Sequence, residues 1–506
     1  MTTTDTREPD RAPVDAAPRW RRLDTRMLAM HPVQELIRFA PALLGLIVGT
    51  SSSGQGPLWS LIGVAVVIGI GLLRWLTTTY RITAANVQVR KGFLRRRTVS
   101  APTERIRTVD VTANPMHRAL GLARVTVGTG LSDRKDKGLV LDALGATDAG
   151  RLRDDLLHRR GVPPSSSPAV ATPIDRTLVR LDPRWIRYAP FTLSGVVTIG
   201  VLLALLSRVV SEAHLPVSRS HVARAVAHHV THAPVWLTGL EILGVLLVAG
   251  AIASTAGYLL AFWNFRLGRH DEGTLHVSRG LLTTRATTIE ERRLRGVELS
   301  EPLLLRSVGG ARCIAIATGL RVGRGSERGG SLLLPPAPWQ VAVRVGGIVI
   351  GAPEAFTCPL TGHGPVARRR RYSRAVGLDA VAAGPVIALT AAGVLPAWPA
   401  VLAATSLALA ALLAADRSHS LGHALVDGAL ISRVGTLVRR RSVLACDGVI
   451  GWNIRQSFFQ RRGGVVTLTA TTAGGRQAYQ LPDLAPNEAL RVADAVVPGL
   501  LRPFLG

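Results

Sequence analysis

The sequence predicts an α-helical membrane protein with β-rich soluble modules: six transmembrane helices in three hairpins, each followed by a module with a closing helix. Three observations predict it. Apolar residues make up 47% of a 506-residue chain whose formal net charge is +28. The two figures reconcile when the apolar residues gather in spans and the charges in modules. Glycines recur at one interval: Gly92 and Gly121, Gly280 and Gly309, and Gly435 and Gly464 are each 29 residues apart. A pair of apolar runs precedes each interval, so a single unit is repeated three times.

Residues 1–35 are polar, charged and Pro-containing, and read as a disordered leader. Runs at 36–53 and 57–76 form the first hairpin (36–76), joined by the uncharged Ser51 to Pro57. Each is near the short end of what a bilayer requires, about 17–25 residues. The first module spans 77–160, and 161–186 is linker. The second hairpin (187–263) carries runs at 187–210 and 235–263, with a His-rich connector between them. The second module follows at 264–350, and 351–374 is an Arg, Pro and Gly linker. The third hairpin (375–415) and third module (416–503) complete the chain.

Orientation follows from arginine placement. Arg19, Arg21, Arg22, Arg26, Arg74, Arg81, Arg176, Arg184, Arg187, Arg266, Arg269, Arg368 to Arg371, Arg374 and Arg417 fall on one side. Only Arg208, Arg219 and Arg224 fall on the other. Both termini and all three modules are therefore expected in the cytoplasm of a bacterial inner membrane. The first apolar run starts too far along the chain for a signal peptide and reads as an uncleaved span. Cys313, Cys358 and Cys446 form no C-x-x-C pair, which fits a reducing compartment. Cys313 and Cys446 read as buried fillers of strands. No basic groove interleaved with aromatics appears, so nucleic acid is not an expected partner.

Each module alternates as strands do. In the first, Tyr80 to Thr83 and Val87 to Arg90 flank a turn at Ala84 to Asn86. Arg97 to Ser100, Arg105 to Val111, Val125 to Val127 and Leu139 to Leu141 follow, and Thr147-Asp148 opens a closing helix. The third module repeats the plan, with Arg439-Arg440-Arg441-Ser442-Val443 matching Arg95-Arg96-Arg97-Thr98-Val99. The second fits at Thr274 to Leu282, but an Arg- and Gly-rich stretch, Arg321 to Gly330, interrupts its later strands.

The runs Tyr80-Arg81-Ile82-Thr83 to Arg97, Glu104 to Val111 and Arg118 to Val127 resemble the bacterial pleckstrin-homology-like (PH-like) membrane protein family. The likeness is to its members with several modules and paired transmembrane helices. It is clearest in the first module, less so in the third and least in the second. The resemblance implies that each module is a PH-like split β-barrel of seven strands closed by a C-terminal helix. It does not imply a phosphoinositide pocket at any residue here. Some family members are associated with envelope stress or tolerance of membrane-active antimicrobials.

Candidate sites are few. Arg95, Arg96, Arg97, Arg439, Arg440 and Arg441 could touch anionic lipid headgroups, at about 1 kcal/mol each near the surface; the alternative is a solvated turn. The second module has Thr283-Thr284-Arg285 there instead. His214, His221, His228, His229 and His232 invite a metal or pH-sensing reading. Glu212 is the lone acidic residue beside them, and an interfacial amphipathic segment is the plainer reading. Glu241 and Asp379 lie a few residues inside apolar runs, and Arg38 starts one. Gly128-Thr129-Gly130 and Gly323 to Gly330 lack the strand-to-helix setting of a phosphate loop.

No nucleophile–base, metal or paired-carboxylate constellation stands out, so the chain reads as a non-enzyme without cofactor or metal. The expected function is a membrane scaffold whose modules bind one another, protein partners or the membrane surface. Membrane lipids, an unknown protein and a second copy are the candidate partners. The alternative is a transporter or export component built on the six helices.

Overall fold

A computed structural model describes residues 20–22, 26, 77–158 (except 84, 92–96, 104–105, 107 and 129–138), 176–192, 234–320 (except 271–272) and 331–500, with isolated positions between 65 and 76 and at 200 and 204. Two compact units emerge: residues 1–170 with 283–287, and the remainder.

In unit 1, β1 (Arg21–Arg22), β2 (Thr79–Ile82), β3 (Asn86–Lys91) and β4 (Arg97–Pro102) form one antiparallel sheet in chain order. β5 (Thr108–Ala113), β6 (Leu122–Gly128) and β7 (Leu139–Gly145) pair antiparallel in turn, and α2 (Ala146–His158) follows them. Alternation puts Val87 and Val89 of β3 on the same side as Val109, Val125, Val127 and Leu141. With Ala149 and Leu152 of α2 they make one core. A single helical turn, α1 (Pro115–Ala119), links β5 to β6.

Unit 2 repeats this plan twice. β8 (Arg176–Arg180), β9 (Arg266–His270) and β10 (Thr274–Arg279) lie side by side, and β11 (Thr284–Glu290), of which residues 288–290 belong to this unit, follows. Next come β12 (Leu294–Pro302), the one-turn α4 (Leu303–Ser307), β13 (Gly310–Ala317), β14 (Leu332–Pro338) and α5 (Trp339–Ile350). The third module has β15 (Gly422–Val426), β16 (Ala429–Val434), β17 (Val438–Ala445), β18 (Val449–Arg455), a one-turn α8 (Phe458–Arg462), β19 (Val466–Thr472), β20 (Ala478–Leu484) and α9 (Pro486–Val496).

The leader and linkers are not structureless where they are described. Arg21 and Arg22, expected in a disordered leader, pair with Tyr80 and Thr79, and Arg90 stacks on Trp20 at 4.6 Å. β8, in the stretch read as linker 161–186, pairs with β9. Thr361, in the stretch read as linker 351–374, exchanges two backbone hydrogen bonds with His423, at 2.8 and 3.0 Å. In each module a segment ahead of the hairpin therefore pairs with the first strand after it. In sequence, the apolar runs are thus an insertion between paired segments rather than a prefix to the module.

Among the described residues, three helices are long and apolar enough to cross a membrane, where the sequence predicts six. They are α3 (Val235–Phe262), α6 (Gly364–Ala391) and α7 (Ala397–His419). The first hairpin lies almost wholly outside the described residues. So does the run expected at 187–210, whose first residues end a 3-10 helix, Pro183–Phe191. α6 begins at Gly364, so the arginines 368–371 lie on the helix itself and not in a linker. α6 and α7 meet through small residues, Ala383 and Ala403 being buried. Their outer faces expose large apolar side chains such as Leu378, Val381, Leu402 and Leu412.

The repeated glycines have one structural meaning where they are described. Gly121, Gly309 and Gly464 all adopt left-handed backbone, with φ of 67°, 71° and 63°, just after the one-turn helices α1, α4 and α8. Gly280 and Gly435 share φ near 110° (110° and 112°) in the turn between two strands; Gly92 lies outside the described residues.

Candidate functional site: the hairpin anchor and the seam between modules

The polar end of α6 is fixed to the third module by a buried carboxylate. Asp483, next to last in β20, has left-handed backbone (φ 61°), a conformation that Asp tolerates better than most residues. Its side chain is 1% exposed and accepts from Arg370 Nε at 3.1 Å and from Gln460 Nε2 at 2.9 Å, with Arg371 Nη2 at 3.0 Å. Gln460 is itself set by a capping box with Ser457 at the start of α8. Helix, strand and one-turn helix thus converge on one carboxylate.

Two imidazoles pack beside this anchor. His363 Nδ1 donates to the Pro482 carbonyl at 2.7 Å, its ring lies 5.1 Å from that of His423, and His423 Nε2 is 3.5 Å from Glu488. Burial pushes His363 down to about 4, against the pull of the Pro482 carbonyl. Burial also pushes His423 down, against the pull of Glu488. Both are therefore neutral in the folded protein at pH 7. A histidine whose folded value is depressed adds stability that is full above its ordinary value near 6.5 and is lost as pH falls toward the folded value. Acidification to pH 4 should cost about 3 kcal/mol through His363 alone. Thermal unfolding followed from pH 7 to pH 4 should show the loss, and His363→Gln should flatten its upper part.

The second construction joins the second and third modules. β12 pairs antiparallel with β17, from Gly296 opposite Leu444 to Pro302 opposite Val438. One six-stranded sheet results, in the order β14-β13-β12-β17-β16-β15. Ile431 and Val443 of the third module join the apolar core of the second, beside Val297 and Leu299. On the other side of β12, Glu298 is buried, with Arg476 Nη2 at 3.2 Å and Arg440 Nε at 3.4 Å. Burial pushes the Glu298 carboxyl up, while Arg476 and Arg440 pull it back.

The Arg439–Arg441 run was expected on a turn, either solvated or facing lipid. It lies instead on β17, and its side chains are engaged within the protein. Arg439 Nη2 is 3.0 Å from Asp416 at the end of α7, and Arg306 of α4 shares that carboxylate at 2.9 Å. Arg440 meets Glu298, and Arg441 Nη2 donates to the Cys358 carbonyl at 2.8 Å. The run therefore serves the seam. It also does not align with Arg95–Arg97 residue for residue. Val87 is paired with Ala101 in the first module and Leu430 with Leu444 in the third. Counted from these core pairs, Arg97 takes the place of Arg440, one residue off the match that the runs suggest. In a strand, one residue exchanges the two faces. Arg95 and Arg96 lie outside the described residues.

The other sequence candidates separate. Asp379 of α6 accepts from Ser406 Oγ of α7 at 3.0 Å, a bond within the hairpin. Glu241 is exposed in the second turn of α3. Cys313 is fully buried on β13 and Cys446 half-buried after β17. The histidine-rich connector, Arg38 and the Gly323–Gly330 stretch lie outside the described residues. Asp483 and Glu298 escaped the sequence reading: a lone acid in a basic chain gives no periodic signal, and their partners are distant in sequence.

Comparison with known proteins agrees with this architecture. The family described as bacterial PH domain matches residues 36–160 and 376–497, that is, the first and third units of the repeat. No curated protein and no solved structure gives a match. The second module, which that match leaves out, nevertheless has the same order of strands, one-turn helix and closing helix. With two matched regions and this repeated strand order, the chain is a bacterial PH-like domain protein.

Proposed function

We propose that the chain is a non-enzymatic integral membrane scaffold whose PH-like modules hold protein partners at the membrane surface. The observation that carries this reading is the β12–β17 seam. Adding a strand to a sheet edge is how sheets recruit extended partners, and here one module recruits another in that way. The ionisable groups described above are engaged in structural pairs, which favours binding over chemistry. Inserting each hairpin between two strands ties module and membrane segment at two points, as an anchored platform requires.

In this reading the modules and both termini lie in the cytoplasm of a bacterial inner membrane, as the arginine asymmetry supports. Lipids, a protein partner and a second copy of the chain are the binding partners, and neither cofactor nor nucleic acid takes part. Envelope stress or antimicrobial tolerance is the cellular setting that the family resemblance suggests. The test is crosslinking of the full chain in native membranes, with mass spectrometry of the linked residues. Crosslinks from module residues to other proteins are the expected result. Crosslinks confined to the helices would overturn it.

A further inference from the structure

The turn that follows Gly280 and the turn that follows Gly435 expose leucines where a soluble module would place polar residues. In the first, Leu281 and Leu282 are 37% and 50% exposed. In the second, Leu437 is 62% exposed, and Leu303 and Leu304 of α4 are 37% and 46% exposed beside it, the Leu303 N–H donating to the Leu437 carbonyl at 2.7 Å. Isolated exposed leucines need no explanation. These are grouped, and each group is bonded to the end of an apolar helix.

The bonds set their depth. Gly280 N–H donates to the Trp263 carbonyl at 2.8 Å, and Leu281 N–H to the Leu260 carbonyl at 3.0 Å, inside the last turn of α3. From the residue after Glu241 to Phe262, α3 has no acidic, basic or histidine side chain. At 1.5 Å per residue that stretch is about 31 Å long, close to the roughly 30 Å of a bilayer's hydrocarbon core. Leu281 is thereby held where the core meets the headgroups. In α7 the stretch from Ala397 to Ala415 is about 28 Å by the same rise and Asp416 is its first ionisable residue. Arg306 of α4 and Arg439 of β17 both bond Asp416, so Leu303, Leu304 and Leu437 are fixed around that end of the helix.

Basic side chains tie both groups to their helices. Arg279, 8% exposed, packs its guanidinium over the Phe262 ring at 5.5 Å. Arg433 donates to the last carbonyls of α7, those of His419 and Ser420, at 3.0 and 3.1 Å. Grouped apolar tips fixed at the end of an apolar helix are placed as interfacial segments that enter a membrane surface are.

We propose that Leu281 and Leu282, and Leu437 with Leu303 and Leu304, insert into the lipid bilayer at its interface, so that the second and third modules lie against the membrane rather than hang from it. The partner is the bilayer surface itself, met by leucines and not by the Arg439–Arg441 run. The proposal rests on the membrane-anchored reading above.

A photoreactive benzoylphenylalanine placed at position 282 or 437 of the full chain tests it, in vesicles of phosphatidylethanolamine and phosphatidylglycerol. Position 247, mid-helix in α3 and 65% exposed, is the positive control. Position 450, equally exposed, lies on β18, past the far end of β17, and that end is about 26 Å along the strand from Leu437. Phospholipid adducts at 282 and 437, as at 247, with none at 450, are the expected result. Protein adducts or none at 282 and 437, with lipid still on 247, would overturn the proposal alone. Loss of lipid adducts at 247 as well would overturn the anchored reading on which it rests.

Discussion

Asp483→Ala is expected to lower stability by about 3–5 kcal/mol, because it leaves Arg370 and Arg371 buried without their shared carboxylate. The side chains of these arginines are 11% and 5% exposed, so water cannot take over the role of Asp483. Gln460 loses its acceptor as well, and with it the seat of α8. The left-handed backbone adds a smaller cost, since Ala is less at ease there than Asp. Measured in nanodiscs, the unfolding midpoint should fall by about 10 °C. Asp483→Asn separates the terms: it keeps the backbone preference and the bond from Gln460 and removes only the charge, so its loss should be intermediate. Removing the cation together with the charge should restore part of it. An Asp483→Asn/Arg371→Met double variant should lose less than the two single losses added. Strict additivity would mean that the pair does not interact.

The anchor matters because of where the apolar runs fall between paired strands. A module that merely followed its hairpin would need one attachment and could swivel about it. Pairing of Arg21–Arg22 with β2, of β8 with β9 and of Thr361 with His423 closes each module on both sides of its apolar runs. The sequence hides this closure. A two-residue strand shows no alternation, and a single bridged residue shows less. The linkers are also rich in the Arg, Pro and Gly that usually mark irregular chain. The features the sequence does reveal are those with a long period or a backbone requirement. The 29-residue glycine interval is legible because Gly121, Gly309 and Gly464 must follow a one-turn helix with left-handed backbone. The one-turn helices themselves are too short to leave a 3.6-residue pattern, and they went unseen. The arginine runs misled for a different reason. Composition repeats there, but register is set by the core pairs Val87–Ala101 and Leu430–Leu444, and composition does not report it.

β12 and its counterpart in the third module, β18, supply a matched pair of glycine tests for the seam. Gly296 of β12 and Gly451 of β18 occupy equivalent places, each 16 residues after the turn glycine of its module, Gly280 or Gly435. Each also sits at a slip in the pairing register of its strand. Their surroundings differ. A Cβ at Gly296 would lie 2.2 Å from the Val443 carbonyl oxygen and 3.1 Å from Leu444 Cα, both backbone atoms of β17. A Cβ at Gly451 would meet only Thr471 Oγ1, at 3.4 Å, because β18 bonds β19 alone in its sheet. Gly296→Ala must therefore push β17 away along the line where Glu298 meets Arg440. The expected cost exceeds the 1–3 kcal/mol usual for overpacking a core, at about 4 kcal/mol. Gly451→Ala should cost less than about 0.5 kcal/mol. Hydrogen exchange reads the difference residue by residue: amide protection in β12 and β17 should fall in Gly296→Ala and stay unchanged in Gly451→Ala. Equal losses in the two variants would mean that the glycines serve their own strands, and that the seam contributes nothing to holding the second and third modules together.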